Sequence, residues 1–363
     1  MRILSLGAGG FIGAHLTERL LREGHDVVAV DTHDDKIRDL LDHDRLTFHQ
    51  ADIRSADFNL VELVQRADLV VDLVAYANPG LYVQMPLEVF QLNFIENLKI
   101  AEACVRHDKR LIQFSSSEVY GKSPASFLSD QLTDPEDPAL ATFSEDTSEF
   151  ILGPVSRHRW IYACAKQLLE RVLHAHGLSG ALNYTIVRPF NFIGPKIDYL
   201  PSDGGGIPRV FSFFMDALLN GTPMQLVDGG HQQRSYTYID DAIECAYRMV
   251  ENRDGVCDRQ IFNVGSAGNE TSIRELAELM REIYDTSYRA ADEPLADIVE
   301  VSGEDFYGAG YEDSDRRIPD VSKVERLLGW EARIGLRDML EQTMAYYVAE
   351  HRERVAEQAV PSA

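Results

Sequence analysis

Short runs rich in Val, Ile and Leu recur along the first half of the chain, at 2–6, 26–30, 69–74, 110–114 and 184–187. Between them lie stretches whose apolar residues return every three or four positions, at 12–22, 94–106 and 161–176. The two periods predict buried strands alternating with amphipathic helices. Strands joined through helices run parallel by right-handed crossovers, so the expected fold class is α/β with a doubly wound parallel sheet. From about Asn191 the texture changes. Pro195, Pro201 and the run Gly204-Gly205-Gly206 mark irregular chain, followed by helical patterns at 210–219, 239–251 and 272–284. This second half is expected to form a smaller lobe over the carboxyl ends of the strands, where open α/β sheets bind ligands. Residues 123–149 are rich in Pro, Asp and Ser without a period, which reads as a surface loop, either functional or a solvated insertion.

Composition narrows the class. The 363 residues are 45% hydrophobic and 26% charged, as in an ordinary soluble protein with a sizeable core. A formal charge of −24 argues against nucleic acid or an anionic membrane as partner, since both need a basic footprint. It does not exclude small anions, which a few arginines and backbone N–H groups can bind locally. Cys104, Cys164, Cys245 and Cys257 form no CxxC pair and no cluster with His, so they read as reduced packing residues, and no metal is expected. Met1 leads directly into a strand pattern without a signal peptide, and no apolar run reaches the roughly 18 residues of a membrane span. The expected location is the cytoplasm.

The chemistry begins at Gly7-Ala8-Gly9-Gly10-Phe11-Ile12-Gly13, which follows the first strand and opens a helix. Gly7, Gly10 and Gly13 permit a tight turn, and the N–H groups near Phe11 and Ile12 face a pyrophosphate at the helix N-terminus. Asp31 closes the second strand 18 residues past Gly13. A carboxylate there accepts from ribose hydroxyls and repels a 2′-phosphate, so NAD is favoured over NADP. Asp52 and Ile53 suit the adenine, and Ala75 joins the cofactor-facing set. The expected division is a Rossmann-type NAD-binding domain at 1–190, a C-terminal substrate-binding lobe at 191–350 and a frayed tail at 351–363.

Tyr162 and Lys166 lie four apart, on one face of a predicted helix. A nearby ammonium, plus the nicotinamide charge, is expected to lower the phenol pKa so that Tyr162 serves as a base. Ser115, Ser116 and Ser117, at the end of a strand, offer hydroxyls to a substrate oxygen, and Glu118 follows them.

The Gly loop, strand-end serines and Tyr-x-x-x-Lys, in this order, resemble the extended short-chain dehydrogenase/reductase (NAD-dependent epimerase/dehydratase) family over essentially the whole chain. The closer likeness is to plant UDP-apiose/UDP-xylose synthases and to the UDP-glucuronate decarboxylase domain of the bacterial aminoarabinose-lipid pathway. It rests on Gly121-Lys122, Phe127-Leu128, Arg159-Trp160-Ile161 through Gln167, Arg188-Pro189-Phe190-Asn191, Leu226-Val227-Asp228-Gly229-Gly230, and Phe306-Tyr307-Gly308-Ala309-Gly310-Tyr311 through Arg317-Ile318-Pro319-Asp320. The resemblance implies NAD-dependent oxidative decarboxylation of UDP-glucuronate through a 4-keto intermediate. It places Ser117, Glu118, Arg159 and Arg317 around the sugar carboxylate, with Arg317 as a bidentate arm. It places Tyr82, Asn191, Arg209, Gln225, Gln232, Arg234 and Tyr311 against the rest of the UDP-sugar. It also implies a homodimer through the helices beginning near Phe94 and Ile161.

The departures point the same way. Where the plant synthases carry cysteines in their ring-contracting site, this chain has Ala77 and Ser117, which argues for loss of CO₂ without ring contraction. The product, UDP-4-keto-pentose or UDP-xylose, stays open. UDP-apiose/UDP-xylose synthesis and UDP-glucuronate 4-epimerisation are the enzymatic alternatives. A non-catalytic NAD-sensing protein is the alternative from another class, and the presence of both Tyr162 and Lys166 argues against it.

Overall fold

A computed structural model describes residues 1–134, 136–204, 208–303, 306, 312 and 314–358. The chain opens with β1 (Arg2–Leu6), α1 (Phe11–Arg22), β2 (Asp26–Asp31), β3 (Leu46–Gln50), α2 (Leu60–Arg66) and β4 (Leu69–Asp72). It continues with α3 (Pro79–Gln84), α4 (Pro86–Phe90), α5 (Asn97–Arg106), β5 (Arg110–Phe114), α6 (Pro124–Phe127), β6 (Thr142–Phe143), α7 (Ile161–Leu178) and β7 (Tyr184–Pro189). The second half holds β8 (Phe192–Ile193), α8 (Val210–Asn220), β9 (Met224–Val227), β10 (Gln233–Ser235), β11 (Thr237–Tyr238), α9 (Ile239–Glu251) and β12 (Gln260–Val264). Last come β13 (Glu270–Ser272), α10 (Ile273–Ser287), β14 (Ile298–Val301), β15 (Arg316–Pro319), α11 (Ser322–Leu328) and α12 (Leu336–Gln358).

Among the described residues, seven strands form a parallel sheet in the order β12-β7-β5-β4-β1-β2-β3. The chain leaves β1 towards β2 on one side and later returns to β4 on the other. A crevice therefore opens above the carboxyl ends of β1 and β4. Strands such as β4 are buried on both faces, which is why they read as unbroken apolar runs. Ile3, Val27, Val71 and Ile112 point into one core with α1, α8 and α9, while Leu4, Val28, Val70 and Leu111 point into the other with α5 and α7.

Several details differ from the sequence reading. The apolar run at 69–74 stops pairing at Asp72, and α5 is entered through a π turn over Gln91–Glu96. β12 comes from beyond residue 190 yet completes the main sheet against β7. The region 123–149 is stitched to the C-terminal half: β6 pairs with β15, and Glu145 accepts from the backbone N of Asn263 at 2.8 Å. α12 continues to Gln358, past the point where fraying was expected, and buries Met339, Met344 and Tyr347.

The smaller sheet, β13-β10-β15-β6, and α8 and α10 stand over the crevice. The two halves are clasped at its edge, where Lys36 Nζ donates to the carbonyl of Ile197 at 3.2 Å and Lys196 Nζ to that of Lys36 at 2.9 Å.

Candidate active site

A cavity of about 590 Å³ fills the crevice, lined by the Gly loop, the ends of β4, β5 and β7, α3, the start of α7, and residues of the C-terminal half. Gly7 adopts φ +81° as the chain turns from β1 into α1. A Cβ at Gly9 would lie 2.1 Å from the carbonyl of His33, and one at Gly13 would lie 2.2 Å from that of Gly7. Only glycine lets the start of α1 approach β1 and β2 this closely, and the cradle left at Gly7, Gly10, Phe11, Ile12, Gly13 and Ala75 suits a dinucleotide. Asp31 caps it from outside the lining, Oδ2 accepting from the N–H of Gly9 at 2.9 Å. Asp52 is less simply placed. Its carboxylate is gripped by the Arg54 guanidinium at 2.6–3.1 Å, which holds it below the usual range, and neither it nor Ile53 lines the cavity.

Across the cavity, the first turns of α7 bring Tyr162 and Lys166 to the wall, both buried. Lys166 Nζ donates to the carbonyl of Phe114 at 3.0 Å. Burial pulls its ammonium down to about 8, opposed by the carboxylates of Asp72 and Glu170. The expected lowering of the Tyr162 phenol is not what the protein's own groups produce. Burial pushes it up to about 12, with hydrogen bonds from Ser116 and Tyr82 pulling the other way and Glu118 reinforcing the rise. The physical reason is that loss of hydration outweighs the neighbouring donors.

Ser116 caps the turn after β5, its hydroxyl accepting from the N–H of Glu118 at 3.1 Å. Ser117, Glu118 and Arg159 join it on the wall. The Glu118 carboxylate accepts from Arg159 Nη1 on one side and from Arg317 Nη1, at 2.8 Å, on the other. Arg317 also donates through Nε to the carbonyl of Gly121 at 3.2 Å and does not line the cavity. The arginine expected to grip a sugar carboxylate meets the carboxylate of Glu118 here. Of the two arginines that hold Glu118, Arg159 is the one on the cavity wall.

Tyr82, Asn191, Arg209, Gln225, Gln232 and Arg234 all line the cavity, whereas Tyr311 lies outside the described residues. Arg209 is fixed by a two-pronged bond to Asp198, Nε to Oδ2 at 3.0 Å and Nη2 to Oδ1 at 2.8 Å, with its guanidinium 5.4 Å from the Phe11 ring centre. Arg234 is held by the carbonyl of Gln233 at 2.7 Å.

Residues 3–265 match the NAD dependent epimerase/dehydratase family. The chain belongs to that family. This epimerase/dehydratase therefore uses NAD. It is 44% identical to a UDP-D-apiose/UDP-D-xylose synthase of Oryza sativa subsp. japonica, over 99% of this chain and 92% of that one. Among solved structures, PbgP3 from Burkholderia pseudomallei is 35% identical with a TM-score of 0.81, covering 97% of this chain and 98% of its own. MoeE5 in complex with UDP-glucuronic acid and NAD is 25% identical with a TM-score of 0.75, covering 96% and 100%.

Some of the epimerase/dehydratase site was missed by sequence reasoning. Asp198 has no motif around it and is recognised only by its grip on Arg209. Phe213 and Phe306, 5.2 Å apart at the cavity wall, sit in patterns that read as core and as motif filler.

Proposed function

We propose that the protein oxidatively decarboxylates UDP-glucuronate, giving UDP-4-keto-pentose, UDP-xylose or both. What carries this reading is the Arg159–Glu118 pair on the same cavity wall as Tyr162, Lys166 and Ser116. It offers a place for a sugar carboxylate beside a place for the neighbouring hydroxyl. Gly7, Gly10, Phe11, Ile12, Gly13, Asp31 and Ala75 would hold NAD, which would supply the hydride acceptor for C4 and, where UDP-xylose is the product, the hydride returned to it.

Tyr162, as the phenolate, takes the proton of the C4 hydroxyl on Oη, with Ser116 donating to it and Lys166 as the nearby positive charge. Once C4 is a ketone, the carboxylate on C5 belongs to a β-keto acid. Its bond to C5 breaks with the electron pair passing to the ketone oxygen, which Tyr162 and Ser116 stabilise by donating to it. Arg159 orients the carboxylate. Glu118, steadied by Arg317, relays a proton from solvent to C5 after CO₂ leaves. Arg209 and Arg234 take the diphosphate, with Asn191, Gln225 and Gln232 towards the uridine and Phe213 and Phe306 as an apolar wall for the base.

Apiose formation has one observation in its favour, the 44% identity to enzymes of that name. Against it, no cysteine lines the cavity among the described residues: Ala77 and Ser117 stand there, while Cys104, Cys245 and Cys257 are buried in the cores and Cys164 is exposed elsewhere. Incubation with UDP-glucuronate and NAD, followed by CO₂ release and NMR of the sugars, tests the reading. CO₂ with an unbranched UDP-4-keto-pentose or UDP-xylose is expected. UDP-galacturonate without CO₂ would establish epimerisation, and a branched pentose would establish ring contraction.

The homodimer is part of this proposal, built from α5 and α7, with Leu168 exposed on α7. So is a cytoplasmic site, supported by four unpaired cysteines. Among the described residues no helix is long and apolar enough to cross a membrane.

A further inference from the structure

Lys36 stands a few residues past Asp31, in the half of the chain that forms the dinucleotide cradle, yet its side chain reaches into the other half. Its half-buried ammonium and the Arg209 guanidinium converge on one acceptor, the carbonyl of Ile197, Lys36 Nζ at 3.2 Å and Arg209 Nη2 at 2.9 Å. Two cations on one carbonyl repel each other unless an acid stands close. Asp198, next in the chain, takes Arg209 on both carboxylate oxygens and accepts from its backbone N–H at 2.8 Å. The segment from Pro195 to Asp198 is thus a strap pinned to the cofactor half. His15 on α1 donates through Nε2 to the Pro195 carbonyl at 2.9 Å, Lys36 holds Ile197, and Lys196 Nζ returns a bond to the Lys36 carbonyl at 2.9 Å. Just beyond, the Tyr199 hydroxyl donates to Asp35 at 3.1 Å, and its ring centre lies 5.2 Å from Lys36 Nζ.

We propose that Lys36 is a positioning residue for the substrate diphosphate: from among the cofactor residues, it fixes through the Ile197 carbonyl the arginine that meets the nucleotide sugar. Asp198 and Ile197 occupy the Nε and Nη2 edge of Arg209, and among the described residues its Nη1 has no partner. Arg209 lines the cavity beside the Phe11 ring, so that open edge is offered to a phosphate. An arginine already turned towards the phosphate loses less freedom when the ligand arrives. Asp198 and Arg209 move as one ion-paired unit, so their mutual bonds do not decide where the unit points. Ties from outside the pair decide it: the Tyr347 hydroxyl of α12 donates to the Asp198 carbonyl at 2.6 Å, and Lys36 and His15 hold the strap from the cofactor side.

This inference rests on the UDP-sugar site proposed above, but its test needs no turnover. Lys36→Met keeps a stem of similar length against Tyr199 and removes the charged donor. Calorimetric titration with UDP is expected to give a dissociation constant about five- to tenfold above that of the wild type. The constant for NAD is expected to stay within about twofold. An unchanged UDP constant would overturn the proposal, and so would equal losses for UDP and NAD, which a general loosening of the fold produces. A loss confined to NAD would assign Lys36 to the cofactor and overturn it as well. Should Lys36→Met fail to fold, Lys36→Gln, which also lacks the charge, is read in the same way. A wild type that binds no UDP would strike the UDP-sugar site and this inference together. A wild type that binds UDP but releases no CO₂ from UDP-glucuronate would strike only the decarboxylase reading and leave the titrations standing.

Discussion

The rings of Tyr82 and Tyr162 lie face to face, their centres 4.4 Å apart and their planes within 5°. Tyr82 comes from α3, a short helix begun by Asn78 as cap and Pro79, so this turn of chain fixes the tilt of the phenol on α7. Tyr82→Phe keeps the stack and removes the hydroxyl bond that helps lower the Tyr162 pKa. Its expected outcome is a stability change under about 1.5 kcal/mol and an acidic limb of kcat displaced to higher pH. Tyr82→Ala also removes the buried ring and is expected to cost about 3–5 kcal/mol in urea unfolding. Equal profiles for wild type and Tyr82→Phe would show that the hydroxyl does nothing for Tyr162.

Arg317 is 2% exposed and donates to Glu118, which Arg159 holds from the other side. Arg317→Ala is expected to leave Glu118 askew and to lower stability by about 3 kcal/mol, as when one partner of a buried pair is removed. kcat/KM for UDP-glucuronate should fall at least about tenfold, while calorimetric titration with NAD should give wild-type affinity. An unchanged kcat/KM would mean that Glu118 needs no second guanidinium.

What could be read before the fold was seen follows from range. β1, β2, β5 and β7 announce themselves because each is buried on both faces, and the Gly loop, Asp31, Tyr162 and Lys166 lie beside them at fixed local spacings. The two-residue strand β6 has no period to detect, and its pairing with Ile318 joins positions far apart in the chain. β12 was hidden for the same reason, since nothing in Gln260–Val264 says that it will lie against β7. The placing of Arg317 on Glu118 rather than on the cavity wall depends on where β15 runs, which no motif records.

The positive charge on Lys166 gives an alkaline limit. Burial lowers its pKa to about 8, so the ammonium is present below that pH and lost above it. kcat is therefore expected to fall as pH rises through about 8. Stability responds in the opposite sense. Between about 8 and the unfolded value near 10.4 the unfolded chain holds the proton that the folded one has released, so Lys166 makes stability rise with pH. An activity profile still level at pH about 10 would show that the charge on Lys166 is not needed.

Gly13 lies so close to the start of the loop that a Cβ would sit 2.2 Å from the Gly7 carbonyl and 2.7 Å from Ala8 Cα. Both contacts are backbone and cannot swing away. Gly13→Ala is expected to lose about 1–3 kcal/mol of stability and to weaken NAD binding at least about tenfold, since the N–H groups at the start of α1 are displaced. Asp31→Asn leaves that geometry intact and is expected to narrow the preference for NAD over NADP, read as a ratio of kcat/KM values.

Glu312 joins three parts of the molecule: Oε1 accepts from Lys122 Nζ at 2.6 Å and Oε2 from the indole of Trp160 at 2.8 Å. The Trp160 ring in turn carries the Arg159 guanidinium, 4.6 Å from its centre. Glu312 therefore acts on the cavity wall through Trp160. Glu312→Gln keeps an acceptor for the indole and loses only a partly exposed ion pair, worth about 1 kcal/mol or less. Its KM for UDP-glucuronate is expected to stay within about threefold of the wild type. Glu312→Ala leaves the buried indole N–H without its acceptor, a loss of about 1–3 kcal/mol, and its KM is expected to rise about tenfold with kcat little changed. Gly153→Ala tests the same contact from the other side. Its Cβ would lie 2.2 Å from Glu312 Oε2 and 2.7 Å from Trp160 Nε1, wedging them apart with every side chain of the network present. If Glu312→Ala and Gly153→Ala both keep the wild-type KM, Trp160 does not seat Arg159.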